Sequence, residues 1–199
     1  MKTFDDIAAI LSRHRPTLLD LPASTRAAVA LVLRMGARGM EILFIERAPH
    51  SGDPWSGDIG FPGGKMEEGE SDPRQTAERE TLEEVGLNLG RHRYLGRLSD
   101  IAGAHLPVLV SCYAYGTEGD PPLIQSQEVR DLLWVSLADL TASERQVTAQ
   151  VRFDGEMLER PAIRLPFPGK PVLWGLTHRL VMELLGLIQG GCPLQMTKG

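Results

Sequence analysis

The sequence predicts a mixed α/β (α+β) unit containing several antiparallel strands. Three observations carry that prediction. Residues 4–13 and 172–188 place apolar side chains at helical spacing, and residues 72–86 carry helix start and stop signals. The runs between them are short, apolar and bounded by Gly, Pro, Asp or Ser. Residues 1–199 contain no repeat, low-complexity tract or linker, so they read as one domain.

In chain order, Phe4, Ile7, Ile10 and Leu11 define a short amphipathic helix. A Pro-containing connector leads to a strand over residues 26–35. The Gly36-Ala37-Arg38-Gly39 turn joins it to a second strand over 41–46, giving a hairpin. Residues 49–60 form a Gly-, Pro-, Asp- and Ser-rich loop that ends in a short strand around Ile59-Gly60-Phe61. The helix over 72–86 has Ser71 as N-cap, Pro73 in its first turn and Gly86 at its C-terminal stop. Further strands are expected at 94–98, 108–115 and 132–135, with a short helix near 137–140. The turn Asp154-Gly155 joins strands at 147–153 and 157–159, and a final helix spans 172–188.

Bulk properties narrow the function classes. A chain of 199 residues with 42% hydrophobic and 24% charged content can bury a core without staples. Its formal net charge of −5 argues against nucleic-acid binding by phosphate neutralisation. A small phosphate substrate stays compatible if bound metal ions supply positive charge. Cys112 lies in an apolar run and Cys192 near the C-terminal tail. Their separation fits no metal or redox spacing, which favours a reducing compartment. Asp5 and Asp6 stand where a signal peptide needs basic residues, and His178, Arg179 and Glu183 interrupt the best apolar stretch. The expectation is a cytoplasmic protein without a membrane partner.

The chemistry concentrates in the helix over 72–86. Glu80, Glu83 and Glu84 stand at i, i+3 and i+4, within an arc of about 100°. Thr81, Leu82 and Val85 are predicted on the opposite, core-facing side. Like charges at this spacing repel, and a hard divalent cation such as Mg²⁺ offsets that repulsion with oxygen ligands. Alone, such a face reads as solvated surface.

The surrounding residues reverse that reading. Gly63-Gly64-Lys65-Met66-Glu67-Glu68-Gly69-Glu70, then eight residues, then Arg79-Glu80-Thr81-Leu82-Glu83-Glu84-Val85-Gly86-Leu87 resembles the Nudix box of the Nudix hydrolases. The box usually has seven residues in that gap, and an aliphatic residue where Thr81 stands. The resemblance implies a Nudix-type α/β/α sandwich with a mixed sheet, and Mg²⁺ or Mn²⁺ held by Glu80, Glu83 and Glu84. It gives Glu80 or Glu84 a share in activating water and makes Arg79 the residue that orients the carboxylates. Gly64 becomes a backbone position close to the metal, and Glu70 a supporting residue.

The eight-residue gap and Phe61-Pro62-Gly63-Gly64-Lys65 are also similar to coenzyme A pyrophosphatases of that family, as are Leu133-Trp134-Val135-Ser136-Leu137 and Trp174-Gly175-Leu176-Thr177. That subgroup usually has serine where this chain has Ala48. The resemblance therefore implies cleavage of coenzyme A or an acyl-CoA to 3′,5′-ADP and 4′-phosphopantetheine. Residues typical of ADP-ribose, diadenosine polyphosphate and NADH enzymes are missing at Gly103, between Val85 and Arg93, and downstream of the box. An ADP-sugar, NADH or dNTP substrate, or a non-catalytic nucleotide sensor, remain as alternatives.

Beyond the box's carboxylates and Arg79, Arg47 and Lys65 are candidates for phosphate contact, or else surface charges. Trp55 either stacks on adenine or caps the core. Glu128 is a base or ligand, or an ordinary surface glutamate. His105 and His178 read as structural. Trp174, Leu180, Leu184 and Leu185 read as core, although a terminal apolar helix also suits a homodimer interface.

Overall fold

Thr3 starts the first helix, α1 (Phe4–Arg13), because its side chain accepts from Asp6 N while the Asp6 carboxylate accepts from Thr3 N at 2.8 Å. The computed structural model describes residues 2–21, 24–50, 55–103, 106–153 and 155–190. His105, Cys192 and Asp154 of the expected turn lie outside the described residues.

A mixed sheet follows. Its strands are β1 (Thr25–Gly36), β2 (Gly39–Arg47), β3 (Ile59–Gly60), β4 (Gly63–Lys65), β5 (Arg93–Arg97), β6 (Ile101–Ala102), β7 (Val108–Thr117) and β8 (Val129–Ser136). The central path runs β3-β2-β1-β7-β5, with β8 on β2, β4 on β1 and β6 on β7. β1 and β7 run parallel from Thr25↔Val108 to Arg34↔Thr117, and the other pairs are antiparallel. The helices are α2 (Pro73–Val85), α3 (Leu137–Thr141) and α4 (Gly175–Ile188). A separate hairpin pairs β9 (Gln146–Phe153) with β10 (Glu156–Ile163).

Side chains alternate across the sheet and divide the core in two. Leu31, Leu33, Ile42, Phe44 and Cys112 pack with Ile7 and Leu11 of α1 and with Leu180, Val181, Leu184 and Leu185 of α4. Ala28, Ala30, Val32, Leu43, Ile45, Tyr113 and Tyr115 pack with Ala77 and Val85 of α2 on the other face. The result is the expected α/β/α sandwich. Burial pushes the Cys112 thiol up, as suits a small core hydrophobe. The α4 leucines are consumed by this intrachain core. Among the described residues no helix is long and apolar enough to cross a membrane.

Several expectations need correction. Asp72, not Ser71, caps α2, accepting from Arg74 N at 2.9 Å. Leu82 does not face the core and stays exposed. The last helix starts at Gly175, because Leu173 is still extended and exchanges backbone hydrogen bonds with Ile163 at 2.8 and 2.9 Å. Trp174 is only half-buried; its indole N–H donates to Asp58 Oδ1 at 3.0 Å, and its ring meets Phe153 edge-on. Strands β4 and β6 were not anticipated, since two or three residues carry no readable period.

Candidate functional site

Helix α2 is fixed at both ends by its own sequence. Pro73 supplies a preset φ at its first position, and Gly86, at φ 70°, closes it with Gly86 N donating to Leu82 O. The helix buries Thr76, Ala77, Thr81, Glu84 and Val85 against β1, whose facing residues Ala28 and Ala30 are small. Thr81, standing at a fully buried position, satisfies its hydroxyl by donating to Ala77 O at 2.6 Å.

Arg79 is the hub of the carboxylates. Its Nε donates to Glu70 Oε1 at 3.0 Å, and its Nη1 reaches Glu80 Oε1 at 2.9 Å and Glu83 Oε2 at 3.2 Å. Its Nη2 donates to the Lys65 carbonyl at 3.3 Å. Glu70 accepts in addition from Glu67 N at 2.7 Å and Thr76 Oγ1 at 2.8 Å. The Arg79 guanidinium beside it holds the Glu70 carboxyl down to about 2. Bonding to Glu70 in turn raises the pKa of Arg79.

The three helical glutamates share an arc but not an environment. The Glu83 side chain is 58% exposed, whereas Glu84 is only 2% exposed. Glu84 Oε2 accepts from Gly63 N at 2.8 Å, and Oε1 lies 3.7 Å from Arg47 Nη1. Burial nevertheless pushes the Glu84 carboxyl up to about 7, and burial likewise raises Glu80.

Two glycines make this packing possible. A Cβ on Gly63, whose φ is 151°, would lie 2.3 Å from the Ala28 carbonyl oxygen and 2.6 Å from Val29 Cα. A Cβ on Gly64 would lie 2.4 Å from the Glu80 carboxyl carbon. Backbone thus excludes a side chain at the first position, whereas at the second a side chain would have to displace the flexible Glu80 carboxylate.

The structure brings Arg47, Gly64, Glu70, Arg79, Glu80, Glu83 and Glu84 together. Lys65 is exposed, and its carbonyl oxygen, not its ammonium, meets Arg79. Trp55 is half-buried in a turn, where its carbonyl accepts from Asp58 N at 3.1 Å. Glu128 is exposed, with its charge raising both Glu80 and Glu84. His178 is partly buried, and that burial lowers its pKa.

Sequence reasoning missed the buried Glu46 beside Arg47. Lys170 Nζ meets it at 2.7 Å and Arg130 Nη1 at 3.3 Å, and Lys170 also pairs with Asp131 at 2.5 Å. The available signal was one charged residue inside an apolar strand, where a buried charge demands a partner.

The donor chemistry suits a hard divalent cation. All the side chains are carboxylates, and Glu80 and Glu84 carry charge that burial opposes and their protein partners leave incompletely compensated. No group of three His, Cys, Asp or Glu side chains is gathered as a ready-made cage among the described residues. Arg79 instead engages Glu80 and Glu83, so the fit lies in donor type and charge.

A family model described as the NUDIX domain matches residues 24–159. The chain is 34% identical over 180 residues to an uncharacterized protein of Schizosaccharomyces pombe, an alignment covering 72% of this chain and 55% of that protein. It is 28% identical over 174 residues to the mitochondrial coenzyme A diphosphatase of Homo sapiens, covering 86% of this chain and 73% of that one. The chain therefore spans about half the length of the first of these relatives. A solved MutT/nudix family protein from Enterococcus faecalis superposes with a TM-score of 0.57 at 16% identity, covering 96% of this chain and 75% of that one. This last similarity concerns the fold alone.

Proposed function

The chain belongs to the NUDIX family, and from that premise we propose that it hydrolyses the diphosphate bond of a nucleotide derivative, with coenzyme A or an acyl-CoA as its substrate. The observation that carries the reading is the Arg79 hub. One guanidinium holds Glu70, Glu80 and Glu83, while Glu84 is seated beneath the Gly63 N–H.

Glu80, Glu83 and Glu84 would hold Mg²⁺ or Mn²⁺, with the Gly64 backbone alongside. When bound, the cation supplies the positive charge that this acidic chain lacks and lowers the pKa of an attacking water. Arg79 sets the carboxylates' positions through charge-assisted hydrogen bonds. Gly63 N keeps Glu84 oriented, and Arg47, beside Glu84, would offer its positive charge to a negatively charged phosphate oxygen. Lys65, exposed at the end of β4, would add a second cation, and Trp55 would stack on adenine. Water adds to one phosphorus, the bond from that phosphorus to the bridging oxygen breaks, and the bridging oxygen leaves with the other phosphate.

The coenzyme A reading is supported by Phe61-Pro62-Gly63-Gly64-Lys65, by the eight-residue gap after Glu70 and by the human coenzyme A diphosphatase relative. Incubating the chain with MgCl₂ or MnCl₂ and coenzyme A, ADP-ribose, NADH or dNTPs in parallel tests it. Formation of 3′,5′-ADP and 4′-phosphopantetheine, fastest with coenzyme A, is the expected result. Preference for another substrate removes the coenzyme A assignment. Nucleotide binding without metal-dependent turnover removes the enzyme.

A further inference from the structure

Parallel pairing of β1 with β7 puts Arg26 beside Leu109, Ala28 beside Ser111 and Ala30 beside Tyr113. Tyr113 packs on the α2 face of the sheet, so alternation turns Leu109 and Ser111 to the same face. Strand β5 adds Arg97 opposite Tyr113, with its guanidinium carbon 5.2 Å from the centre of that ring. A cavity of about 190 Å³ opens here, between the sheet, the start of α2 and the segment that precedes β1. Leu19, Met66, Pro73 and Leu109 give it apolar walls. Its polar wall is an ion-pair cluster that the carboxylate site on α2 does not use.

In that cluster Asp100 Oδ1 accepts from Arg97 Nη2 and, at 2.8 Å, from Ser111 Oγ, while Oδ2 accepts from Leu19 N at 3.0 Å. Both carboxylate oxygens are engaged, so the wall has little to offer a cation. Arg97 is less well served: its buried Nε has no hydrogen-bond partner among the described residues. Arg26 brings a second guanidinium to the rim, paired at 3.1 Å with Asp20 where both side chains are exposed, and such a pair yields readily. Two arginines against one aspartate, beside apolar walls, favour an anion with an apolar body. A dry cavity of about 150 Å³ holds benzene, so this volume suits a ring of that size bearing one carboxylate. We propose that the cavity binds a small organic carboxylate, its charge toward Arg97 and Arg26 and its body against Leu19, Met66 and Leu109. Met66 and Pro73 bracket the loop whose Glu70 holds Arg79, so an occupant also steadies that loop. The site is independent of the hydrolase reading above.

Calorimetric titration of the full chain with sodium benzoate, benzamide and inorganic phosphate tests the assignment, with EDTA present to keep metal from the α2 carboxylates. One benzoate per chain is expected, with a Kd of about 1 mM or tighter. Benzamide and phosphate should each bind at least about tenfold more weakly. No benzoate binding at about 10 mM overturns the proposal. Benzamide binding as well as benzoate would mean that the charge is not read, and phosphate doing so that the apolar walls are not; either result overturns it too. Leu18→Trp adds bulk where Leu18 lines the cavity's exposed rim, and Arg97→Lys keeps a charge beside Asp100 but loses the planar fork. Each should weaken benzoate about tenfold. Unchanged affinity in either folded variant places benzoate elsewhere and overturns the site. Should Arg97→Lys fail to fold, Leu18→Trp still decides, because Leu18 is largely exposed. Amide exchange of residues 66–70 should slow about threefold with benzoate bound. Unchanged exchange there overturns the steadying of the Glu70 loop.

Discussion

Arg79 Nε donates to Glu70 Oε1 at 3.0 Å, joining the loop after β4 to the helix that carries the other carboxylates. Nη1 of the same guanidinium serves Glu80 and Glu83, so Glu70 helps to decide where that group sits. Glu70→Gln keeps the shape and removes the charge. It is expected to lower kcat about 10–100-fold, the usual cost of losing a partner that orients a metal ligand. Unchanged kcat on the preferred diphosphate substrate would refute that role.

The same contact has a pH signature. Arg79 holds the folded-state Glu70 carboxyl at about 2, below its ordinary value of 4.5. Such a group contributes stability that is fully present above about pH 4.5 and is lost as pH falls towards about 2. Chemical denaturation across that window should show a shallower acid loss for Glu70→Gln than for wild type. Parallel curves would show that the contact adds no pH-dependent stability.

Glu84 trades stability for position. Burial opposes its charge, and its partners do not fully offset that cost. Glu84→Gln retains an acceptor for Gly63 N, so its Tm should equal or exceed that of wild type by a few degrees. Its turnover should fall by about two orders of magnitude or more, as should that of Glu83→Gln. Near-wild-type turnover in these two variants would remove the proposed mechanism.

The adjacent glycines should fail differently. Gly63→Ala meets the backbone of β1 and requires a left-handed φ of an alanine, so a marked loss of Tm is expected. Gly64→Ala meets only the end of the Glu80 side chain, which can swing away. That variant should fold and lose most of its activity. Thermal melts and assays of both proteins check the contrast, which equal losses of Tm would contradict.

Lys170 compensates the buried Glu46 carboxylate from the far end of the chain. Lys170→Met leaves that charge with Arg130, which is largely exposed, so the cost should approach about 3 kcal/mol. Glu46→Gln in the same chain should recover a large part of it. A denaturant-unfolding cycle measures the coupling, and additive losses would show that the pair is not coupled.

Much of this was legible in the residues themselves. Thr3 with Asp6, Pro73 with Gly86 and the Gly36–Gly39 turn act locally, so α1, the ends of α2 and the β1–β2 hairpin follow from short-range chemistry. Leu82 and Trp174 were misplaced because apolar character does not reveal what packs against a position. The cavity beside Arg97 was unreadable, since its walls come from separate stretches of the chain and no motif marks them.

The sequence by itself determined that Glu80, Glu83 and Glu84 share one side of a helix beside two glycines and an arginine, because angle about a helix axis depends only on spacing. Only the tertiary structure decided their depth. Strand β4 lies against α2 and buries Glu84 beneath Gly63 N, while Glu83 stays in solvent. Depth is set by the element packed on the helix, and that element reaches its place through β1, more than thirty residues earlier in the chain.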